Sequence, residues 1–177
     1  MIDKIILDIR RGEVLITIKI IGILVNRGRS SMKLSTRARY GVRLMLVLAV
    51  HYGKGPVYLK DIARGEEISE KYLSLIIIPL RTAGLVQSIR GAHGGYSLAK
   101  PPDEITLRDI VHVLEGGISL VDCVDNSLSC SRARTCASRD VWSIVSGQIS
   151  RTLESISLGD LLAKTREKAD SAPEYHI

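Results

Sequence analysis

Hydrophobic positions change their period several times along this chain, and each change marks an element. Tyr40, Leu44, Val47 and Leu48 recur at helical spacing between Ser35 and Tyr52. Ser35 or Thr36 can cap that stretch, and Gly53, Gly55 and Pro56 end it, so a helix is predicted. Leu59 to Arg64 reads as a short helix with Leu59, Ile62 and Ala63 inward, followed by a turn over Gly65 to Ile68. Ser69 caps the next predicted helix, which runs to about Ala83 with Leu73, Ile77 and Leu80 on one face. Pro79 falls late in it and is expected to bend it, and Gly84 closes it. Two short helices across a tight turn make a helix-turn-helix pattern.

The period then shortens. Leu85 to Ile89 and Tyr96 to Ala99 carry β-formers, and Arg90-Gly-Ala-His-Gly-Gly95 lies between them. Two strands joined by a glycine-rich, arginine-bearing tip predict a β-hairpin wing. No helix follows the glycines, so a phosphate-binding loop is a poor reading, and His93 reads as a turn residue. Pro101 and Pro102 break the chain. Thr106 and Asp109 then open a helix in the manner of a capping box, with Leu107, Ile110, Val111 and Leu114 on one face and Gly116-Gly117 as its stop.

A polar segment follows, and then a longer helix from about Ala137. Val141, Ile144, Val145, Ile149, Leu153 and Ile156 form its apolar stripe. Such a stripe needs cover, either from its own domain or from the same helix of a second copy. Ser157 and Asp160 restart a short helix through Leu162, and the tail beyond Lys164 is expected to be loose. The predicted fold class is mostly α with a small β-hairpin wing: a winged helix-turn-helix plus a long C-terminal dimerisation helix. The expected organisation is an extension over 1–31, a DNA-binding domain over 32–100, a connecting helix over 101–120, a cysteine segment over 121–136, a dimerisation helix over 137–163 and a tail over 164–177.

Residues 1–31 do not match this regular layout. Their β-like run from Val14 to Val25 has no evident pairing partner, whereas Met32 opens a well-organised sequence. The expectation is that Met32 is the natural start; a true extra strand or arm is the other reading. The run is interrupted by Thr17 and Lys19 and is shorter than the ~20 residues of a spanning helix. No small-residue cleavage site follows it. A cytoplasmic location without membrane attachment is therefore expected.

Composition sharpens the picture in two respects. Lys and Arg outnumber Asp and Glu by 25 to 19, a formal net charge of +6, which suits a polyanionic partner. Aromatic residues make up 4% of the chain and Phe is absent, so the core must be aliphatic. No Ser–His–Asp, paired-carboxylate or HExxH arrangement stands out, and no enzyme is predicted.

The three cysteines, Cys123, Cys130 and Cys136, are the only ones and share one segment with spacing C-x6-C-x5-C. The odd count argues against a secreted disulfide scaffold. Asp125, Asn126, Ser127, Ser129, Ser131, Arg132, Arg134 and Arg139 surround them, unlike a core. Thiolates are the ligands that iron–sulfur clusters prefer, and neighbouring arginines favour the thiolate and offset a cluster's charge. The spacing is unlike the C-x2-C pairs of zinc ribbons. Direct thiol oxidation is one alternative use of these residues, and a repressor gated by a partner protein without a cluster is the other alternative.

Taken in order, these features resemble IscR/NsrR-type winged-helix transcription regulators, the Rrf2 family that also holds RirA- and CymR-like proteins. Ser-Thr-Arg-Ala-Arg-Tyr-Gly at 35–41, Ile-Ser-Glu-Lys-Tyr-Leu at 68–73, Leu-Arg-Thr-Ala-Gly-Leu-Val at 80–86 and Arg-Gly-Ala-His-Gly-Gly-Tyr at 90–96 carry the resemblance. The cysteines and the following Val141-Trp142 complete it. The resemblance implies a homodimeric repressor on a double-stranded, partly palindromic operator, sensing redox, iron or nitrosative status through a [2Fe–2S] or [4Fe–4S] cluster on Cys123, Cys130 and Cys136. It also implies that Ser69, Lys71, Tyr72 and Ser74 enter the major groove, that Arg90 reaches the minor groove or a phosphate, and that Arg37 and Arg39 meet phosphates. For Tyr72, packing within the helix-turn-helix is the other reading. Where similar proteins carry a His or Asp as fourth ligand, this chain has Arg139 and Arg39, neither a usual ligand. Asp122, Asp125 and Asp140 are then the candidates.

Overall fold

Helix α1, Thr36–Val50, starts where the Ser35 side chain accepts the Ala38 N–H at 3.1 Å. This computed structural model describes residues 34–91 and 94–171, so the extension and His93 lie outside the described residues. Ala38, Gly41, Leu44, Met45, Leu48 and Ala49 are buried along α1, while Tyr40 and Val47 are half-buried at the edge of that face. At Gly41 an added Cβ would collide with the Leu114 side chain, so the small residue lets α1 lie close against the helix carrying Leu114.

Helix α2, Leu59–Glu66, ends at Glu67, whose φ of 54° is the left-handed conformation that turns the chain. Helix α3, Glu70–Thr82, begins at Ser69, which accepts the Tyr72 N–H at 3.2 Å. Leu73, Ile76, Ile77 and Leu80 are its buried residues, and Pro79 is accommodated inside the helix. Strands β1, Val86–Ile89, and β2, Gly95–Leu98, pair antiparallel, with Val86 opposite Leu98 and Ile89 opposite Gly95. Val57 extends this hairpin. Its N–H donates to the Tyr96 carbonyl at 2.8 Å and its carbonyl accepts the Tyr96 N–H at 2.9 Å. Gly95 has φ 144°, and a Cβ there would stand 2.6 Å from the Val57 carbonyl oxygen, so this approach requires glycine.

Helix α4, Leu107–Glu115, carries a complete capping box between Thr106 and Asp109 and stops at left-handed Gly116. A short helix α5, Asp122–Asp125, and a single 3-10 turn, Ser127–Ser129, interrupt the cysteine segment. Two helices cover the stretch from 137: α6, Ala137–Glu154, and α7, Leu158–Asp170, the second restarting at Ser157 and running well past the expected end at Leu162. The tail, expected to be loose beyond Lys164, continues α7 to Asp170, and its residues 172–177 lie outside the described residues. The chain entering α7 pairs with the chain entering α4. Leu107 donates to Ile156 at 2.9 Å, and Leu158 donates to Ile105 at 2.8 Å.

One aliphatic cluster holds these parts together. Leu44, Leu48, Leu73, Ile77, Leu80, Leu98, Ile110 and Leu158 all belong to it, each with at most 2% exposure. Burying a side chain of this size contributes roughly 1.5–3 kcal/mol. Helix α6 contributes little to that core. Its sole buried residue is Ser146, while Val141, Trp142 and Ile144 are exposed. Among the described residues no helix is long and apolar enough to cross a membrane.

Candidate nucleic-acid interface and cysteine segment

The expected DNA-contacting residues fall on two helices and the wing. Lys71 is exposed on the first turn of α3. Ser69 is exposed, but its oxygen is engaged as the helix cap. Ser74 is half-buried, and its hydroxyl donates to the Glu70 carbonyl at 2.9 Å, one turn back along its own helix. The Tyr72 ring packs against the core and meets Tyr40 edge-on, with centroids 5.9 Å apart. Arg90 is exposed just after β1, at the wing tip. Arg37 and Arg39 are exposed in the first turn of α1, Arg39 donating to Thr36 Oγ1 at 3.1 Å.

Two features of this face are not among the residues expected from the sequence. Arg43 on α1 donates from Nε to Glu66 Oε2 at 2.7 Å and from Nη2 to the Glu66 carbonyl at 2.6 Å. Its guanidinium also lies 5.5 Å from the Tyr40 ring centroid. The series Glu66–Arg43–Tyr40–Tyr72 therefore fixes α2 and α3 against α1. The ion pair is part-exposed and contributes at most about 1 kcal/mol; its value is positional. The second feature is hydrocarbon on the outer face of α3, where Leu75 is 58% and Ile78 52% exposed. Their position off the Leu73–Ile77–Leu80 face is the signal that the sequence offers.

The cysteine segment is built differently. Cys123 lies in α5 and Cys136 caps α6, both half-buried, while exposed Cys130 follows the 3-10 turn. Arg139 Nε donates to the Cys123 carbonyl at 2.7 Å, tying α5 to the start of α6. The Leu120 N–H donates to buried Ser146 Oγ at 3.2 Å, and Ala133 is the segment's buried side chain. Asp125 accepts from Ser119, whereas Asp122 and Asp140 are exposed at helix starts. All three thiols are free. Among the described residues no three His, Cys, Asp or Glu side chains gather closely enough to hold a metal. The donor chemistry suits an iron–sulfur cluster, but in this arrangement the donors do not converge, so the segment as placed does not fit one.

A helix-turn-helix with a β-wing on one aliphatic core, the outer face of its second helix open, is the architecture of a winged-helix DNA-binding regulator. Known relatives make the class specific. A family model described as "Rrf2: Iron-dependent Transcriptional regulator" matches residues 34–164. The HTH-type transcriptional regulator CymR of Bacillus subtilis is 44% identical over 134 residues, covering 76% of this chain and 92% of that protein. The regulator IscR of Aliivibrio salmonicida is 38% identical over 131 residues, covering 74% of this chain and 77% of that protein. Among solved structures, that of CymR, the global cysteine regulator of B. subtilis, superposes with TM-score 0.64 at 42% identity, covering 76% of this chain and 98% of that one. The structure of T. potens IscR superposes with TM-score 0.65 at 43% identity, covering 82% and 96%. The chain belongs to the Rrf2 family of transcription regulators.

Proposed function

We propose that this protein is a homodimeric repressor that reads a partly palindromic operator and is switched through Cys123, Cys130 and Cys136. The observation that carries the reading is the contrast between the two faces. The winged helix-turn-helix is complete in one copy, with Lys71 exposed on α3, Arg90 on the wing and Arg37 and Arg39 on α1, while Val141, Trp142 and Ile144 of α6 are left 41% to 63% exposed. A second α6 would cover them and set two recognition helices one helical turn of DNA apart. Ser69 and Tyr72 then act mainly by fixing the start of α3, and Ser74 has a bound hydroxyl; Lys71 and Arg90 are exposed cations suited to phosphate or groove contacts.

The iron–sulfur reading rests on the family description and on three thiols within one segment. It requires the segment to rearrange on loading, since no three donors gather closely enough to hold a metal among the described residues. Asp122, Asp125 and Asp140 remain the candidate fourth ligands. The second reading is direct thiol oxidation, favoured by the exposed, unpaired Cys130; the CymR of Staphylococcus aureus, 36% identical, has been crystallised in an oxidised form. Anaerobic iron–sulfide reconstitution followed by visible and Mössbauer spectroscopy separates the two. Cluster bands lost in each Cys→Ala variant support the first reading. A colourless, iron-free protein whose DNA affinity changes with peroxide supports the second. Binding to duplex DNA must weaken steeply with salt, and Arg90→Ala should reduce the log–log slope by about 1. Absence of any affinity for promoter DNA in either state would sink the proposal.

A further inference from the structure

The exposed face of α3 has an unusual chemistry for a surface that must tell bases apart. Lys71, Leu75 and Ile78 stand at spacings of four and three residues, on one stripe of the helix. Leu75 is 58% and Ile78 52% exposed, although the same helix buries Leu73, Ile76, Ile77 and Leu80 almost completely. Of the polar side chains on this stretch, Ser74 has its hydroxyl bound to the Glu70 carbonyl, and Tyr72 packs its ring against the core and Tyr40. Between Lys71 and Arg81 the outer face thus offers two branched hydrocarbons and no free amide, carboxylate or guanidinium. An aliphatic side chain cannot distinguish bases by hydrogen bonding. The one base-edge feature in the major groove that it matches is the C5-methyl of thymine.

We propose that Leu75, supported by Ile78, is a specificity-determining residue that reads thymine methyl groups in the major groove of the operator. The proposal rests on α3 being the groove-entering helix of the repressor proposed above. Its occupant is a DNA duplex with thymines at the positions facing the second and third turns of α3. The flanking cations Lys71 and Arg81, both exposed on this helix, suit a polyanion rather than an apolar protein surface. Sequence preference would then come from hydrocarbon contact in the helix centre, with the cations holding the phosphates on either side.

The experiment replaces each thymine of a selected duplex by deoxyuridine, which pairs identically but lacks the methyl. High-affinity duplexes are first selected from a random pool by the full-length protein, both as purified and after anaerobic reconstitution. Wild type should lose roughly fourfold in affinity at each thymine whose methyl is packed, the worth of one buried carbon. With Leu75→Ala the penalty at one such position per half-site should vanish; with Ile78→Ala the penalty at its neighbour should fall. Both side chains are exposed, so folding is preserved, which circular dichroism checks. Tight binding with a flat deoxyuridine series, or penalties unchanged in both variants, overturns this inference while leaving the DNA-binding reading intact. Loss of self-association in Leu75→Ala with a flat series would make the face a protein contact and also overturns it. Failure to select any duplex above non-specific binding overturns the functional reading as well.

Discussion

The winged half of the chain and the α6 half solve the same problem unequally. From α1 to α4 the apolar positions close on one another, and every major helix contributes two or more buried residues. Helix α6 is longer than any of them at 18 residues, yet Ser146 is its only buried side chain, and Ile144 is 63% exposed. The cysteine segment before it leans on single hydrogen bonds such as Arg139 to the Cys123 carbonyl. One half closes its apolar core within one copy and suits rigid recognition. The other buries little within one copy, and few buried contacts make a region easy to rearrange, as the proposed switching would require.

This contrast can be broken most directly at its stable side. Leu44→Ala, at a fully buried position, should cost about 2–5 kcal/mol in a urea titration, whereas Ile144→Ala should change monomer unfolding by no more than about 0.5 kcal/mol. Similar losses at both positions would show that α6 packs within its own copy. In the other direction, Ile144→Glu should weaken self-association by about 2 kcal/mol or more, roughly thirtyfold, in sedimentation equilibrium. An unchanged dimer would move the interface elsewhere. Gly41→Ala tests how closed the winged half is. Its Cβ would meet the Leu114 side chain, so about 1–3 kcal/mol should be lost.

The smallest expected effect lies at the seam between the halves. Asp160 is held below its ordinary value of 3.8, first by the Ser157 hydroxyl and then by the Ser157 N–H. A depressed carboxyl contributes stability that is fully present above its unfolded value and is lost as pH falls through the folded one. Acid titration should therefore weaken α7 only below pH 3.8, and Asp160→Asn should remove that part of the acid dependence. An acid response of α7 that is the same with and without Asp160 would mean that the box does not secure the helix.

Much of this architecture is readable residue by residue. Ser35, Ser69, Thr106 and Ser157 cap the helices at the positions their sequence contexts predict, because a cap bonds to backbone within three residues and needs no distant partner. Leu73, Ile77 and Leu80 are buried as their spacing implies. The length of α7 is not legible in the same way, because its last turns carry polar residues without an apolar rhythm, and a helix with little apolar face gives no periodic signal. The candidate site is legible in its parts and not in their state. Lys71 and Arg90 are exposed, but whether Ser74 keeps its hydroxyl for DNA depends on a rotamer, and whether Tyr72 faces groove or core depends on Tyr40, 32 positions earlier.

The sequence by itself determined the order of helices, the hairpin, the caps and the grouping of three thiols in one segment, since all of these follow from neighbours a few residues apart. Tertiary structure alone decided that Val57 joins the wing, that Thr106 and Ser157 meet, how far Leu75 and Ile78 stay exposed, and that the thiols join no metal-holding group among the described residues. Those outcomes depend on which surfaces the closed core consumes first, and residues distant in the chain compete for that burial in a way no local pattern records.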